Sequence, residues 1–167
     1  MPGMVSWNAF ATADPDLAGL GRSLLFQFDV GLAFLATVRK DGGPRLHPVC
    51  PVLSNDGLFV LITPASPKRH DLLRDGRYAL QTFPQPKAGS DEFYMAGRAV
   101  LVDDAVARAV VLRDARHMAT ASESVFELSI ERVMHTRWEN PLTPQMRPVQ
   151  RKWRAPGSAG ASPGRTP

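Results

Sequence analysis

The chain has 167 residues and a mass of 18.3 kDa, which suits one domain with a sizeable core. Its 44% hydrophobic and 22% charged residues are ordinary for a globular protein, and no apolar run approaches the roughly 20 residues of a membrane-spanning helix. The net charge of +4 is uneven, because residues 132–167 carry seven basic and one acidic residue, whereas residues 1–131 carry 13 and 15. A basic segment can bind polyanions weakly, but a solvated tail is the simpler interpretation, so we expect no nucleic-acid partner.

Two features favour a cytoplasmic location. The first residues show no basic region followed by an apolar one, so we expect no signal peptide. Cys50 is the only cysteine, which excludes an intramolecular disulfide. We also expect no membrane partner.

Residues 1–13 show no clear period, and we expect them to form an N-terminal arm. Asp14 can cap a helix whose first residue is Pro15, and Gly31 marks its end. The apolar face of this helix is predicted to consist of Leu17, Leu20, Leu24, Leu25 and Phe28.

The remaining chain is predicted to be mainly β-structure. The predicted strands are residues 32–39, 45–53, 58–63, 78–83, 93–102 and 125–138. Helices are predicted over residues 67–75 and 103–118, tight turns over 40–44 and 54–57, and a loop over 84–91.

Prolines and glycines refine this prediction. Pro48 and Pro51 cannot donate to a ladder, so the strand over 45–53 should be an edge strand or irregular. Gly97 predicts a bulge or a close approach of backbone, and the alternation of the last strand is interrupted near Arg132. We therefore expect a mainly β (α+β) fold over residues 14–154, a six-stranded antiparallel barrel with peripheral helices, followed by a disordered tail over residues 155–167.

The most informative local motif is TPASPKRHDL at residues 63–72, which follows a strand and opens a helix. Ser66 suits the cap, and Pro67 suits the first helical position. Lys68 and Arg69 then lie in the first turn, where the helix dipole disfavours cations. A bound phosphate would explain them, although side chains that point into water would also be compatible with the pattern.

A second candidate is the face of the strand over 45–53 that carries Arg45, His47 and Val49. These side chains could line a groove for a ligand or could simply be exposed on an edge. Neither His47 nor His70 has a second metal ligand at close spacing, so we expect no metal site.

In order and spacing, these segments resemble the pyridoxamine 5′-phosphate oxidase-like superfamily over residues 14–140. The resemblance is carried by LAFLATVRKDGGPRLHPVCPVL, LFVLITPASPKRHDLLRDGRYALQTF and EFYMAGRAVLVDD. It implies a split β-barrel homodimer with two FMN sites at the subunit interface, which would act as a flavin-dependent oxidoreductase on a small-molecule substrate.

The resemblance also implies roles for particular residues. Arg45, His47, Pro48 and Val49 would line the isoalloxazine ring, with His47 as the candidate for proton transfer. Thr63, Ser66, Lys68 and Arg69 would hold the ribityl phosphate. Trp138 and residues near Arg98 would reach the flavin of the partner subunit.

The chain departs from true pyridoxamine phosphate oxidases at its end, where Trp138-Glu139-Asn140-Pro141 replaces an Arg- and Trp-rich segment that grips the substrate phosphate. We therefore do not expect oxidation of vitamin B6. Relatives on this barrel bind deazaflavin (coenzyme F-420) or haem, so a deazaflavin-dependent reductase and a non-catalytic flavin- or haem-binding protein stay open. Arg74, Arg77 and Lys87 are the cations available for a longer anionic tail.

Overall fold

A computed structural model describes residues 3–55, 57–85, 90–115 and 120–158. Its helices are α1 (Trp7–Ala13), α2 (Pro15–Leu25), α3 (Pro67–Arg74) and α4 (Ala105–Asp114). Its strands are β1 (Ala33–Val38), β2 (Pro44–Val49), β3 (Val52–Ser54), β4 (Gly57–Ile62), β5 (Arg77–Thr82), β6 (Glu92–Leu101), β7 (Ser124–Glu139) and β8 (Arg147–Arg154). No helix in the described ranges is long and apolar enough to cross a membrane.

Several predictions fall on residues outside these ranges. They are Asp56 of the second turn, residues 86–89 of the loop with Lys87, residues 116–118 of the last predicted helix, and residues 159–167 of the predicted tail. Ala155, the first residue of that predicted tail, is buried, and its N–H donates to the carbonyl of Glu131 at 2.8 Å.

All eight strands belong to one antiparallel sheet with the order β2-β1-β5-β6-β7-β4-β3, and β8 pairs with residues 132–139 of β7, beyond the part of β7 that pairs with β4. β2 and β3 stand at opposite ends of this path, yet only Cys50 and Pro51 separate them in the chain. The sheet must therefore curl until its two ends are neighbours. Among the described residues no ladder joins β2 to β3, so the sheet is not closed.

The predicted fold class, mainly β with peripheral helices, is confirmed, but the number of six strands was wrong. The predicted strand over 45–53 is broken into β2 and β3, because the chain turns at Pro51 and its ring nitrogen cannot donate to a ladder. Both pieces are edge strands, as the prolines predicted. β8 was not predicted, because its residues are almost all exposed and show no apolar alternation.

The N-terminal segment also differs from the prediction. Residues 7–13 form α1, which Ser6 caps by accepting a hydrogen bond from the backbone N–H of Ala9 at 3.3 Å. Trp7 and Phe10 are buried, and the Phe10 ring lies 4.9 Å from that of Trp153 on β8. α1 and β8 thus pack against each other from the two ends of the described chain.

The second helix begins as predicted. Asp14 accepts a hydrogen bond from the Leu17 N–H at 3.1 Å, and Pro15 is the first helical residue. Leu17, Leu24 and Leu25 are buried in the core, whereas the predicted face members Leu20 and Phe28 remain partly exposed.

Gly97 lies at a register shift between β6 and β7, as its position in the strand predicted. The pairing passes from Ala96–Arg132 to Gly97–Ile130, so Glu131 is the extra residue. A Cβ at Gly97 would lie 1.9 Å from the Ser129 carbonyl oxygen, and only glycine permits this approach.

Replacing Gly97 with Ala should therefore lower the free energy of unfolding by about 1–3 kcal/mol or more, because the backbone of β7 would have to move. Gly19→Ala is the matched control, since nothing lies within 4 Å of a Cβ there and the residue is inside α2. The control should raise stability by about 0.4–1 kcal/mol. Urea unfolding measures both, and equal stabilities of the two variants would contradict the account of the bulge.

Candidate functional site

A cavity of about 220 Å³ opens where the sheet is split. One wall is the junction of the two edge strands, and the facing wall comes from β4, α3 and the segments that flank α4 and β7. The lining residues are Pro48, Val49, Cys50, Val52, Leu61, Thr63, Lys68, Ala115 and Glu123. The cavity exists because β2 and β3 separate at Cys50 and Pro51 and do not pair with each other.

The N-terminus of α3 lies at this cavity. Ser66 occupies the cap position, but its hydroxyl makes no capping hydrogen bond, in contrast to the capping role predicted for it. Pro67 is the first helical residue, as predicted. The Ser66 N–H donates to the Thr63 carbonyl, the Arg69 N–H donates to the Ser66 carbonyl, and Pro67 has no N–H. The Lys68 N–H and the Ser66 hydroxyl are therefore the groups at this helix start that could serve an anion.

Lys68 is the cation of the cavity. Its side chain is half-buried, and burial lowers the pKa of the ammonium group, while the nearby Glu123 carboxylate partly offsets this effect. A cation that has lost part of its hydration gains more from binding an anion than a fully solvated one. Lys68 is therefore the side chain best placed for a phosphate.

Arg69 points to a different neighbour. Its Nε donates to the Ser124 hydroxyl at 2.7 Å, at the first residue of β7 and next to Glu123 in the chain. Arg69 is thus fixed close to the end of the cavity, although neither it nor Ser66 belongs to the lining formed by the described residues.

Arg45 is held by a buried carboxylate. Its Nε donates to Asp71 Oδ2 at 2.7 Å, the Thr37 hydroxyl donates to the same oxygen at 2.9 Å, and Arg74 reaches Asp71 Oδ1 at 3.3 Å. Asp71 is only 4% exposed. Burial alone would raise the pKa of Asp71, but the hydrogen bonds from Arg45, Thr37 and Arg74 hold it below its usual value.

The predicted ring-binding residues are therefore divided between two places. Pro48 and Val49 line the cavity, whereas Arg45 lines a neighbouring groove of about 590 Å³ with Arg39, Lys40, Asp41, Pro67, His70 and Asp71. His47 lies two residues from both Arg45 and Val49 along β2, on the same face of the strand, and it is half-buried. Among the described residues His47 lines neither the cavity nor the groove.

Trp138 lies at the far end of β7. Its indole Nε1 donates to Glu92 Oε1 at 3.1 Å. Trp138 does not belong to the lining that the described residues give the cavity. Arg98, the other residue assigned to a partner site, donates from Nη2 to the Asp75 carbonyl at 2.7 Å.

Sequence reasoning missed part of the lining. Glu123 and Ala115 come from the segments on either side of the undescribed residues 116–119, and no local motif links them to Lys68. Cys50 was not predicted as a lining residue either, although its position between two prolines indicates a break in the sheet. In the described part of the chain, no three His, Cys, Asp or Glu side chains form a group that could hold a metal ion.

One protein-family model matches this chain. It is described as pyridoxamine 5′-phosphate oxidase, and it covers residues 27–137, from the end of α2 to the last residues of β7. No curated protein matches the sequence.

Solved structures share the fold at low sequence identity. A haem-binding protein from Mycobacterium smegmatis has a TM-score of 0.55 and 19% identity, over 76% of this chain and 55% of that protein. The haem storage protein HutZ from Vibrio cholerae has a TM-score of 0.55 and 17% identity, over 71% and 89% of the two chains. A Listeria innocua structure that carries the name pyridoxamine 5′-phosphate oxidase has a TM-score of 0.56 and 17% identity, over 69% and 94%. At these identities the likeness establishes the fold alone.

Replacing Asp71 with Asn should lower the free energy of unfolding by about 1.5–3 kcal/mol at neutral pH, because charged hydrogen bonds to Arg45 and Arg74 are lost. Since the pKa of Asp71 is lowered by folding, its contribution is complete above the unfolded pKa of about 4 and is lost as the pH falls through the folded value. The difference in the free energy of unfolding between the wild-type protein and Asp71→Asn should therefore become smaller at acidic pH. Asp41→Asn, at an exposed ion pair with Arg39, is the control and should change stability little. A difference that stays constant from pH 7 to pH 2 in urea titrations would rule out this role for the charge.

Proposed function

The chain belongs to the pyridoxamine 5′-phosphate oxidase family, and on that premise we propose that it binds FMN and works as a flavin-dependent oxidoreductase on a small molecule. The observation that carries the proposal is the half-buried Lys68, which lines the cavity at the split beside the first turn of α3. A half-buried cation with its own backbone N–H at a helix start suits a phosphate, and the Ser66 hydroxyl, which makes no capping hydrogen bond, stands at the same helix start.

The residues at the split fit both ends of the cofactor. Lys68, the Ser66 hydroxyl and the N-terminus of α3 would hold the phosphate, with Arg69 beside them. Glu123 offers an acceptor for the hydroxyl groups of the ribityl chain. Pro48 and Val49 offer an apolar wall to the ring.

Bound flavin would supply hydride or electron transfer, and the protein would position the ring and limit its access to water. His47, half-buried on the same face of β2 as Val49, is the candidate for holding or moving a proton beside the ring. Arg45 would lie at the edge of the site with its direction fixed by Asp71.

The size of the cavity supports a homodimer. Its volume of about 220 Å³ is below the roughly 300–1,000 Å³ of pockets that enclose a cofactor-sized ligand, so a flavin would extend beyond it. A second copy would cover the remainder, and Leu46 on the outer face of β2, 63% exposed, gives that copy an apolar contact. Trp138, which does not line its own cavity, would then contribute to the site of the partner. The absence of disulfide chemistry favours the cytoplasm as the location.

A non-catalytic role is the second candidate, because two of the similar structures are haem-binding and haem-storage proteins. For the longer anionic tail of a deazaflavin, the described residues offer fewer unpaired cations. Arg74 is engaged with Asp71 and with the Val38 carbonyl, and Arg77 with Asp75. The proposal for FMN is therefore preferred on the cations that the structure describes.

Visible absorption spectra of the purified protein, followed by separate titrations with FMN, deazaflavin and haem, decide among these candidates. Flavin bands or tight uptake of FMN support the proposal, and turnover with a reduced nicotinamide donor separates an enzyme from a carrier. Selective uptake of deazaflavin, or a Soret band on titration with haem, would replace FMN with that ligand.

The double variant Lys68→Ala/Arg69→Ala should bind FMN roughly 10–150-fold more weakly, as expected for lost hydrogen bonds between charged groups. Its affinity for riboflavin, which lacks the phosphate, should stay the same. Arg113→Ala removes an exposed arginine of α4 that does not line the cavity and serves as the control. Unchanged FMN affinity in the double variant, measured by fluorescence quenching, would exclude this phosphate site.

A further inference from the structure

The groove of about 590 Å³ beside α3 lies at the other end of β2 from the cavity at the split. Arg45 is the second residue of β2, and Val49, which lines the cavity, is the last. The turn between β1 and β2 forms one wall of the groove. Pro67 and His70, three residues apart on one face of α3, form the other. The groove and the cavity share no lining residue.

The groove lies on the face of β2 that the proposed homodimer does not use. Successive side chains of a strand point to opposite faces. Leu46, the apolar contact proposed for the second subunit, therefore points away from the groove that its neighbour Arg45 lines. Thr37, the cross-strand partner of Arg45, is buried and donates to Asp71 of α3 at 2.9 Å. The face with the groove is thus the one on which the chain's own α3 packs.

Arg45 presents to this groove a guanidinium group whose direction is fixed and whose terminal nitrogens are unused. Its Nε donates to Asp71 Oδ2 at 2.7 Å, and its side chain is 27% exposed. Among the described residues, no acceptor takes a hydrogen bond from either Nη of Arg45. A guanidinium binds a carboxylate or a phosphate through two such N–H groups at once, and one that is already held in place loses less entropy on binding.

The charge around Asp71 is not balanced. Arg45 and Arg74 both pair with this one carboxylate, at 2.7 and 3.3 Å. A single negative charge compensates only one of the two arginines, so one positive charge remains at this end of the groove.

The turn between β1 and β2 adds a second positive charge. Arg39 is paired with Asp41 at 3.0 Å, whereas the exposed Lys40 forms no ion pair with any described residue. All three residues line the groove. Two positive charges are thus left over, one held by α3 and one on the turn, and an external ligand with two negative charges would balance them.

We propose that the groove binds a small organic dianion, a dicarboxylate or a phosphomonoester. One pair of acidic oxygens accepts from the two Nη groups of Arg45, and Lys40 balances the second charge. The volume of about 590 Å³ lies within the roughly 300–1,000 Å³ of pockets that enclose small molecules. The site does not depend on the flavin proposal, because no residue of the cavity takes part in it.

Nuclear magnetic resonance of the ¹⁵N-labelled full-length protein locates and measures such binding. The probes are glutarate and glycerol phosphate, one for each class of dianion, and butyrate as a monoanion. We expect at least one dianion to shift the backbone amide signals of Lys40 and His70 and to leave those of Lys68 and Glu123 in place. Butyrate should bind about two- to fivefold more weakly than that dianion, because it lacks the ion pair with Lys40.

Two variants test the two charges separately. Arg45→Gln should weaken every probe roughly 10–150-fold, as expected for lost hydrogen bonds between charged groups. Lys40→Gln should weaken the dianion about two- to fivefold and leave butyrate unchanged. Arg113→Gln removes an exposed arginine that does not line the groove, and it should change neither affinity. Arg45→Gln removes a partner of the buried Asp71, so far-UV circular dichroism checks its fold, whereas Lys40→Gln alters only the surface.

Three results would overturn the proposal. They are no shift of the groove signals with either dianion, an equal affinity for butyrate and the dianions, and an unchanged affinity in Lys40→Gln. A titration in the presence of FMN tests the independence of the two sites. The affinity for the dianion should stay the same, and displacement by FMN would show that the groove holds part of the flavin instead. Failure of the protein to bind FMN would contradict the flavin proposal and leave the dianion titration as it is.

Discussion

The connection of only Cys50 and Pro51 between β2 and β3 is the constraint on which the rest of the structure depends. Val49 and Val52 can be no more than about 11 Å apart, three Cα steps of 3.8 Å, although their strands end opposite edges of a seven-strand path. A flat sheet cannot satisfy this distance, so the sheet curls until its two ends are neighbours, without closing. The same two residues prevent complete pairing, and the opening that remains becomes the cavity with Lys68. Architecture and candidate site thus have one origin.

Most elements could be predicted from the sequence because their signals are local. The cap at Asp14, the turn residues and the alternation of β7 each act within a few residues, and the helix start at Pro67 located Lys68. α1 and β8 escaped prediction because each buries its aromatic side chains against the other, Phe10 against Trp153, so neither segment has an apolar pattern of its own. The lining of the cavity divides in the same way. Lys68 follows from helix chemistry, whereas its neighbour Glu123 is brought by the fold alone.

Buried and exposed charges fix different elements of this molecule. Asp71 is buried and connects β1, β2 and α3 through Thr37, Arg45 and its own helix, which fixes α3 against the curled end of the sheet. This arrangement sets the position of the first turn of α3 and therefore of Lys68. The exposed arginines that pair with Glu139 and Asp14 instead attach the last hairpin to itself and to the cap of α2. The cations on one face of the last hairpin are thus paired with carboxylates, whereas those on its other face form no ion pair among the described residues.

The packing of α1 on β8 also has a consequence for biosynthesis. A ribosome adds about 5–20 residues per second, so the approximately 140 residues between Phe10 and Trp153 take roughly 7–30 s to produce. During that interval the Trp7 and Phe10 rings have emerged without the partner that later covers them. A nascent chain of this kind presents an aromatic segment to chaperones until the last strand is translated. A ribosomal pause anywhere between the codons of Phe10 and Trp153 would lengthen that exposure by its own duration.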